Sequence, residues 1–186
     1  MTTRRALVVC VLALLIAACS PWTPFLITPP DATGVSPCDP GDTFFYTWNY
    51  GRLDDLSTQV DRALAEAGLY GARGYAQAYG EDKRSASSGA YCGFLTLETD
   101  FTITLPVQSL TDPQVLAPRV LALLAVLDAF PPEETPGPRP GYISIVLVHR
   151  QERARMRFSV MTAAEAREHG LTGAALLQAL GYQPEQ

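Results

Sequence analysis

The chain has 186 residues, 14 basic and 19 acidic side chains, and a net charge of −5. That balance lacks the basic footprint a nucleic-acid partner demands, while a hydrophobic share of 47% supplies enough apolar material for one domain with its own core. The two histidines, His149 and His169, have no ligand-spaced partners, so neither a zinc site nor a cofactor is expected.

The first nineteen residues read as an address. Arg4 and Arg5 give a positive start, and Ala6 to Ala17 is an uncharged apolar run of twelve residues. This is the layout of a secretory signal. The run is too short for a stable bilayer span, which needs ~20 apolar residues. Ile16-Ala17-Ala18-Cys19 closes it and resembles the lipobox of bacterial lipoprotein precursors: a branched apolar residue, two small residues, then cysteine. The resemblance covers these residues alone. It implies diacylation of the Cys19 thiol, cleavage before Cys19, and acylation of the freed amine. Residues 1–18 are then a signal peptide, and the protein is extracytoplasmic and anchored to a membrane through lipid. Ser20 in place of Asp points to the outer membrane where two membranes exist. Each buried methylene of such an anchor contributes ~0.8 kcal/mol, and two chains hold where one does not. The plainer alternatives are an ordinary signal cut near Ala18 or an uncleaved anchor. Removing residues 1–18 takes Arg4 and Arg5 from the 14 basic residues, leaving 12 against 19 acidic and a net charge of −7.

Residues 19–41 form a tether with six prolines between Ser20 and Gly41. Proline favours extended chain, which gives a reach on the order of 55 Å from Cys19 to Cys38. Trp22, Phe25, Leu26 and Ile27 are apolar for a bare linker and suit a membrane interface or docking onto the body. Cys10 leaves with the signal and Cys19 is consumed by lipid, so Cys38 and Cys92 remain. In an oxidising compartment that pair reads as one disulfide. It closes a loop of roughly 55 residues, which the chain-entropy model values at ~4 kcal/mol. Two free thiols for metal or redox chemistry are the competing reading, without a Cys-x-x-Cys to support it.

Residues 42–182 read as a single body, followed by a tail at 183–186. Thr43 to Trp48 is aromatic and β-prone and reads as a first strand, with the start of a helix after Asp42 as the alternative, and a turn is expected at Asn49–Gly51. Asp54 to Ala67 reads as a helix capped by Asp54, with Leu56, Val60, Leu64 and Ala67 on one face and Gly68 as its stop. Leu69 to Tyr79 reads as a strand with Ala72, Gly74, Ala76 and Ala78 on one face. Tyr75 and Tyr79 lie on the other with Arg73 and Gln77, either a carbohydrate or peptide platform or a half-exposed sheet face. Gly80 to Gly89 reads as a polar loop.

The clearest alternation runs from Tyr91 to Leu105, where Leu95, Leu97, Phe101, Ile103 and Leu105 alternate with Thr96, Glu98, Asp100, Thr102 and Thr104. An antiparallel partner is expected in the preceding strand. Glu98 and Asp100 are either solvated acids or a carboxylate pair for acid/base work or cation binding. Asp112-Pro113 starts a helix to Phe130, with Pro118 as a kink or second start. Its Val120 to Leu127 stretch is apolar nearly all round, for the core or for a homodimer seam.

After the five prolines between Pro131 and Gly141, Tyr142 to His149 reads as a central strand. Arg150 to Glu152 turns the chain, and Arg153 to Val160 returns. Arg153, Arg155 and Arg157 share one face of that strand. The stripe suits lipid phosphates, an anionic glycan or an acidic partner. It equally suits an edge strand guarded by charge, with Glu98 and Asp100 facing it across the sheet. Thr162 to Glu165 reads as a capping box, and Thr172 to Leu180 as a last helix with Leu176, Leu177 and Leu180 inward.

The expected fold is α+β: an antiparallel sheet of four to five strands with helices on one face. The order of elements also fits a ferredoxin-like βαββαβ unit extended by a strand and a C-terminal helix. No nucleophile elbow and no phosphate-cradling glycine loop is present. The expected function is therefore a non-catalytic, lipid-anchored envelope module that binds or assembles with an envelope protein or an anionic glycan or lipid. The alternative is a small envelope hydrolase with a dispersed site using Glu98 and Asp100.

Overall fold

Ten-residue Phe44–Leu53 is the first strand (β1), and it runs straight through Asn49–Gly51, where a turn was expected. It lies on the edge of the sheet, exposed on both faces over most of its length, so no burial pattern marked its second half. A computed structural model describes Cys38 and residues 41–183 of the chain. The signal, Cys19, the tether up to Pro37 and the last three residues lie outside the described residues.

The helix α1 (Asp54–Glu66) follows β1 directly. Asp54 is its first residue and not its cap: Leu53 holds the cap position with no side-chain bond, and Asp54 pairs with Arg52. Ser57 does the local work, donating to the Leu53 carbonyl and accepting the Ala76 amide. Val60 and Leu64 press on Gly74 of β2 (Arg73–Ser85), where a Cβ would collide with the Val60 and Ile103 side chains. The small face read from the sequence is thus the seat of α1.

β2 continues six residues past Tyr79 through a segment expected to be loop. Its polar residues are paired on both sides, with β1 and with β3 (Tyr91–Pro106). Gly80 makes this possible, since any Cβ there would strike the Leu95 carbonyl of β3. A bulge at Tyr79/Gly80 then resets the register.

Asp112 caps α2 (Pro113–Leu127) by accepting the Gln114 amide at 2.9 Å, as its Asp-Pro signature predicts; Pro118 lies inside the helix. Leu116, Ala117, Val120, Leu123 and Leu124 are essentially inaccessible. The apolar face of α2 is therefore packed into the chain's own core. A short turn of 3-10 helix (Pro132–Glu134) leads to β4 (Arg139–His149), which begins three residues before Tyr142. β5 (Glu152–Ser159) returns antiparallel. Ser159 then caps α3 (Val160–Glu168) by accepting the Thr162 amide, so the cap sits three residues before Thr162. α4 (Gly173–Ala179) buries Leu176 and Leu177.

The sheet order is β1-β2-β3-β4-β5. The α+β class and the five strands agree with the sequence reading, but two details do not. β3 and β4 run parallel, because α2 carries the chain back across the sheet between them, so the sheet is mixed. The strands also lie in sequence order, with β1 at an edge, which is not the interleaved order of a ferredoxin-like fold. One face carries Ala76, Phe101, Ile103, Leu105, Ile143, Ile145, Leu147, Met156 and Phe158, which form a single core together with residues of the helices. No helix among the described residues is long and apolar enough to cross a membrane.

Candidate functional site

The other face of the sheet carries the alternate residues of each strand, and no described helix packs on it. Strand register puts Tyr50 of β1 opposite Tyr79 of β2, and Tyr79 opposite Glu98 of β3. Arg52, Gln77 and Asp100 form the next row, followed by Tyr75, Thr102, Ser144 and Arg157. The arginines of β5 and the tyrosines of β1 and β2 therefore share one surface.

Contacts knit this face together. The Tyr50 and Tyr79 rings lie 5.8 Å apart in a tilted pair, and the Arg52 guanidinium sits 5.7 Å from the centre of the Tyr75 ring. Arg157 reaches over β4, stacks 4.3 Å from the centre of the Tyr142 ring, and donates to Asp100 Oδ2 at 3.1 Å. Asp100 Oδ1 accepts the Tyr142 amide at 2.8 Å. Gly141 lets β4 approach this closely, since a Cβ there would strike the Thr99 carbonyl and crowd Asp100. Burial, and after it the Asp100 carboxylate, hold the Tyr79 phenol above its ordinary value of 10.0, with Arg157 opposing. Tyr79 is thus a neutral phenol across the physiological range.

The structure divides the arginine stripe. Arg157 is committed to Asp100 and Tyr142. Arg153 and Arg155 are exposed, opposite Val148 and Val146 of β4, and none of the ion pairs found among the described residues involves them. The carboxylate pair separates in the same way. Asp100 is 7% exposed with both oxygens engaged, so it holds the β3–β4 junction together. Glu98 remains half-buried beside Tyr79.

Tyr50, Arg52 and Tyr142 complete the surface and went unnoticed in the sequence. Tyr50 falls inside the expected turn Asn49–Gly51, and Arg52 just after it. Tyr142 lies on the strand read from the sequence, between buried Gly141 and Ile143, but its exposed ring had no partner visible there.

Cys38 and Cys92 stand side by side, with Cα atoms 5.7 Å apart and their sulfurs at bonding distance. No group of three or more His, Cys, Asp or Glu side chains among the described residues is arranged to hold a metal ion. On the helix side, a small cavity between Phe101, Leu124, Leu127, Phe130, Ile143 and Arg167 has a volume of about 20 Å³. That is room for one water molecule and far below a ligand pocket.

No family model, no curated protein and no solved structure matches this chain.

Proposed function

We propose that the protein is a lipid-anchored, extracytoplasmic binding module that engages an anionic envelope component on the open face of its sheet. The carrying observation is the coexistence on that face of a tyrosine cluster (Tyr50, Tyr75, Tyr79, Tyr142) with the exposed Arg153 and Arg155. Tyrosines offer flat apolar area with a polar tip. Arginine supplies a planar fork for phosphate or carboxylate. On a chain of net charge −5, a local basic edge next to an aromatic surface selects for anionic ligands with an apolar or ring-like body. The lipobox at Cys19 and the proline-rich tether support the placement at a membrane. The paired Cys38 and Cys92 support an oxidising compartment and would pin the tether to the start of β3 as a disulfide.

Capture from detergent-solubilised membranes of the producing organism tests this. Arg153→Glu/Arg155→Glu should lose the captured component without loss of fold, because neither side chain has an ion-pair partner among the described residues. Tyr50→Ala should weaken capture as well. Undiminished capture by both variants would remove the open face from the account. Arg157→Glu is not a clean probe, since it would set a second carboxylate against Asp100.

A further inference from the structure

The two edges of the sheet are built differently. β5 carries Glu152, Arg153, Arg155 and Arg157 in eight residues, so a second β5 laid against it would bring arginine against arginine. That is how an edge is guarded. β1 carries one charge, Arg52, in ten residues. It contains no proline, and Phe45, Tyr46, Trp48 and Tyr50 are 45%, 50%, 66% and 63% exposed. No described strand pairs with its outer side. A long, aromatic edge strand with no described strand on its outer side is a template for strand addition, although the Tyr50 amide already donates to the Asn49 side chain.

We infer that β1 pairs antiparallel with β1 of a second copy of this chain, joining two five-stranded sheets into one. A two-fold register that pairs nine of the ten residues, Phe44 to Arg52, places Trp48 against its own counterpart on the axis. It sets Tyr46 beside Tyr50 of the partner subunit, and Phe44 beside Arg52 of the partner subunit. Aromatic pairs then stack across the strands, and the one charge meets a ring and not another charge. The pairing is isologous and closes at two copies. It leaves the helices of both copies on one side and makes the two open faces continuous, so that the Tyr50–Tyr79 surfaces adjoin. The linking segment 20–41 is a poorer occupant of this edge. Its six prolines lack the amide donor a ladder needs and leave no proline-free run longer than Asp31 to Ser36.

Light scattering on the detergent-extracted protein, with the micelle contribution subtracted, tests the pairing. The wild type is expected at twice the chain mass. Tyr46→Lys/Trp48→Lys, which places lysines together at the axis, is expected at the mass of one chain with an unchanged circular dichroism spectrum. A single-chain mass for the wild type at its highest soluble concentration overturns the inference, and so does a dimer that survives the double-lysine change. If that variant fails to fold, oxidation of Trp48→Cys in native membranes decides. A reducible dimer band that Arg155→Cys on the other edge does not give supports β1 pairing. Its absence, or an equal band from both variants, overturns it.

Discussion

Asp100 and Arg157 stand 57 residues apart in the chain and meet at 3.1 Å across the width of β4. Their meeting turns a guarded edge strand and an acidic strand position into one joint. The Asp100 side chain is 9% exposed and that of Arg157 is 55% exposed, so the ion pair itself is solvent-screened and contributes ~0–1 kcal/mol. The larger contribution lies in the amide of Tyr142, which has Asp100 as its acceptor. Asp100→Ala is therefore expected to cost about 1–3 kcal/mol, through a lost hydrogen bond and an amide left unpaired. Asp100→Asn retains an acceptor oxygen and is expected to cost about 1 kcal/mol. Urea unfolding of both variants checks this, and equal losses would show that the ion pair, not the amide, is what matters.

Two glycines separate close approach from free space. A Cβ at Gly141 meets the Thr99 backbone, whereas a Cβ at Gly51 meets nothing within 4 Å. Gly141→Ala is expected to destabilise by about 1–3 kcal/mol, the usual range for overpacking. Gly51→Ala is expected to stay within ~0.5 kcal/mol of the wild type. Thermal unfolding of the pair is the measurement, and the contrast is the point of it.

Removing the Cys38–Cys92 link enlarges the unfolded ensemble by opening a loop with a sequence separation of 54. Cys38→Ser/Cys92→Ser should lower stability by up to ~4 kcal/mol on the chain-entropy model. Urea unfolding in the presence and absence of reductant should move the wild type and leave the double variant unchanged. A wild type indifferent to reductant would show that the two sulfurs are not bonded in the protein.

Tyr79 gives a pH signature. Its phenol is held above 10.0, first by burial and then by Asp100. A raised folded value means that the neutral form is the one the fold prefers. Its contribution is then full below the unfolded value near 10.0 and is lost as the pH rises through the higher folded value. Comparing the phenolate absorbance titration of the wild type with that of Tyr79→Phe should assign a late-ionising tyrosine to position 79. Asp100→Asn should bring that ionisation down. A Tyr79 that ionises at or below the ordinary value would contradict the described packing of the face.

The body's class was legible because burial on one face writes alternation into a strand. Phe101, Ile103 and Leu105 show it, and they are the core. The Asp112 cap and the apolar α2 were legible for a different reason: local chemistry fixed both. What escaped is what alternation does not encode. β1 beyond Trp48 is exposed on both faces, and Gly80 to Ser85 is polar yet paired on both sides. Neither segment has a hydrophobic period to read. Parity placed Arg157 and Asp100 each on a face of its own strand, but strand neighbours and direction come from the crossover through α2. The joint between Asp100, Tyr142 and Arg157 therefore became visible only in three dimensions, as did the union of the tyrosine and arginine surfaces.

The anchored, stapled module is tested most directly by the intact mass of the protein extracted from membranes, with thiol alkylation before and after reduction. The account predicts loss of residues 1–18, acyl mass on Cys19, and alkylation of Cys38 and Cys92 only after reduction. A full-length, unacylated chain with Cys38 and Cys92 free to react at once would contradict it.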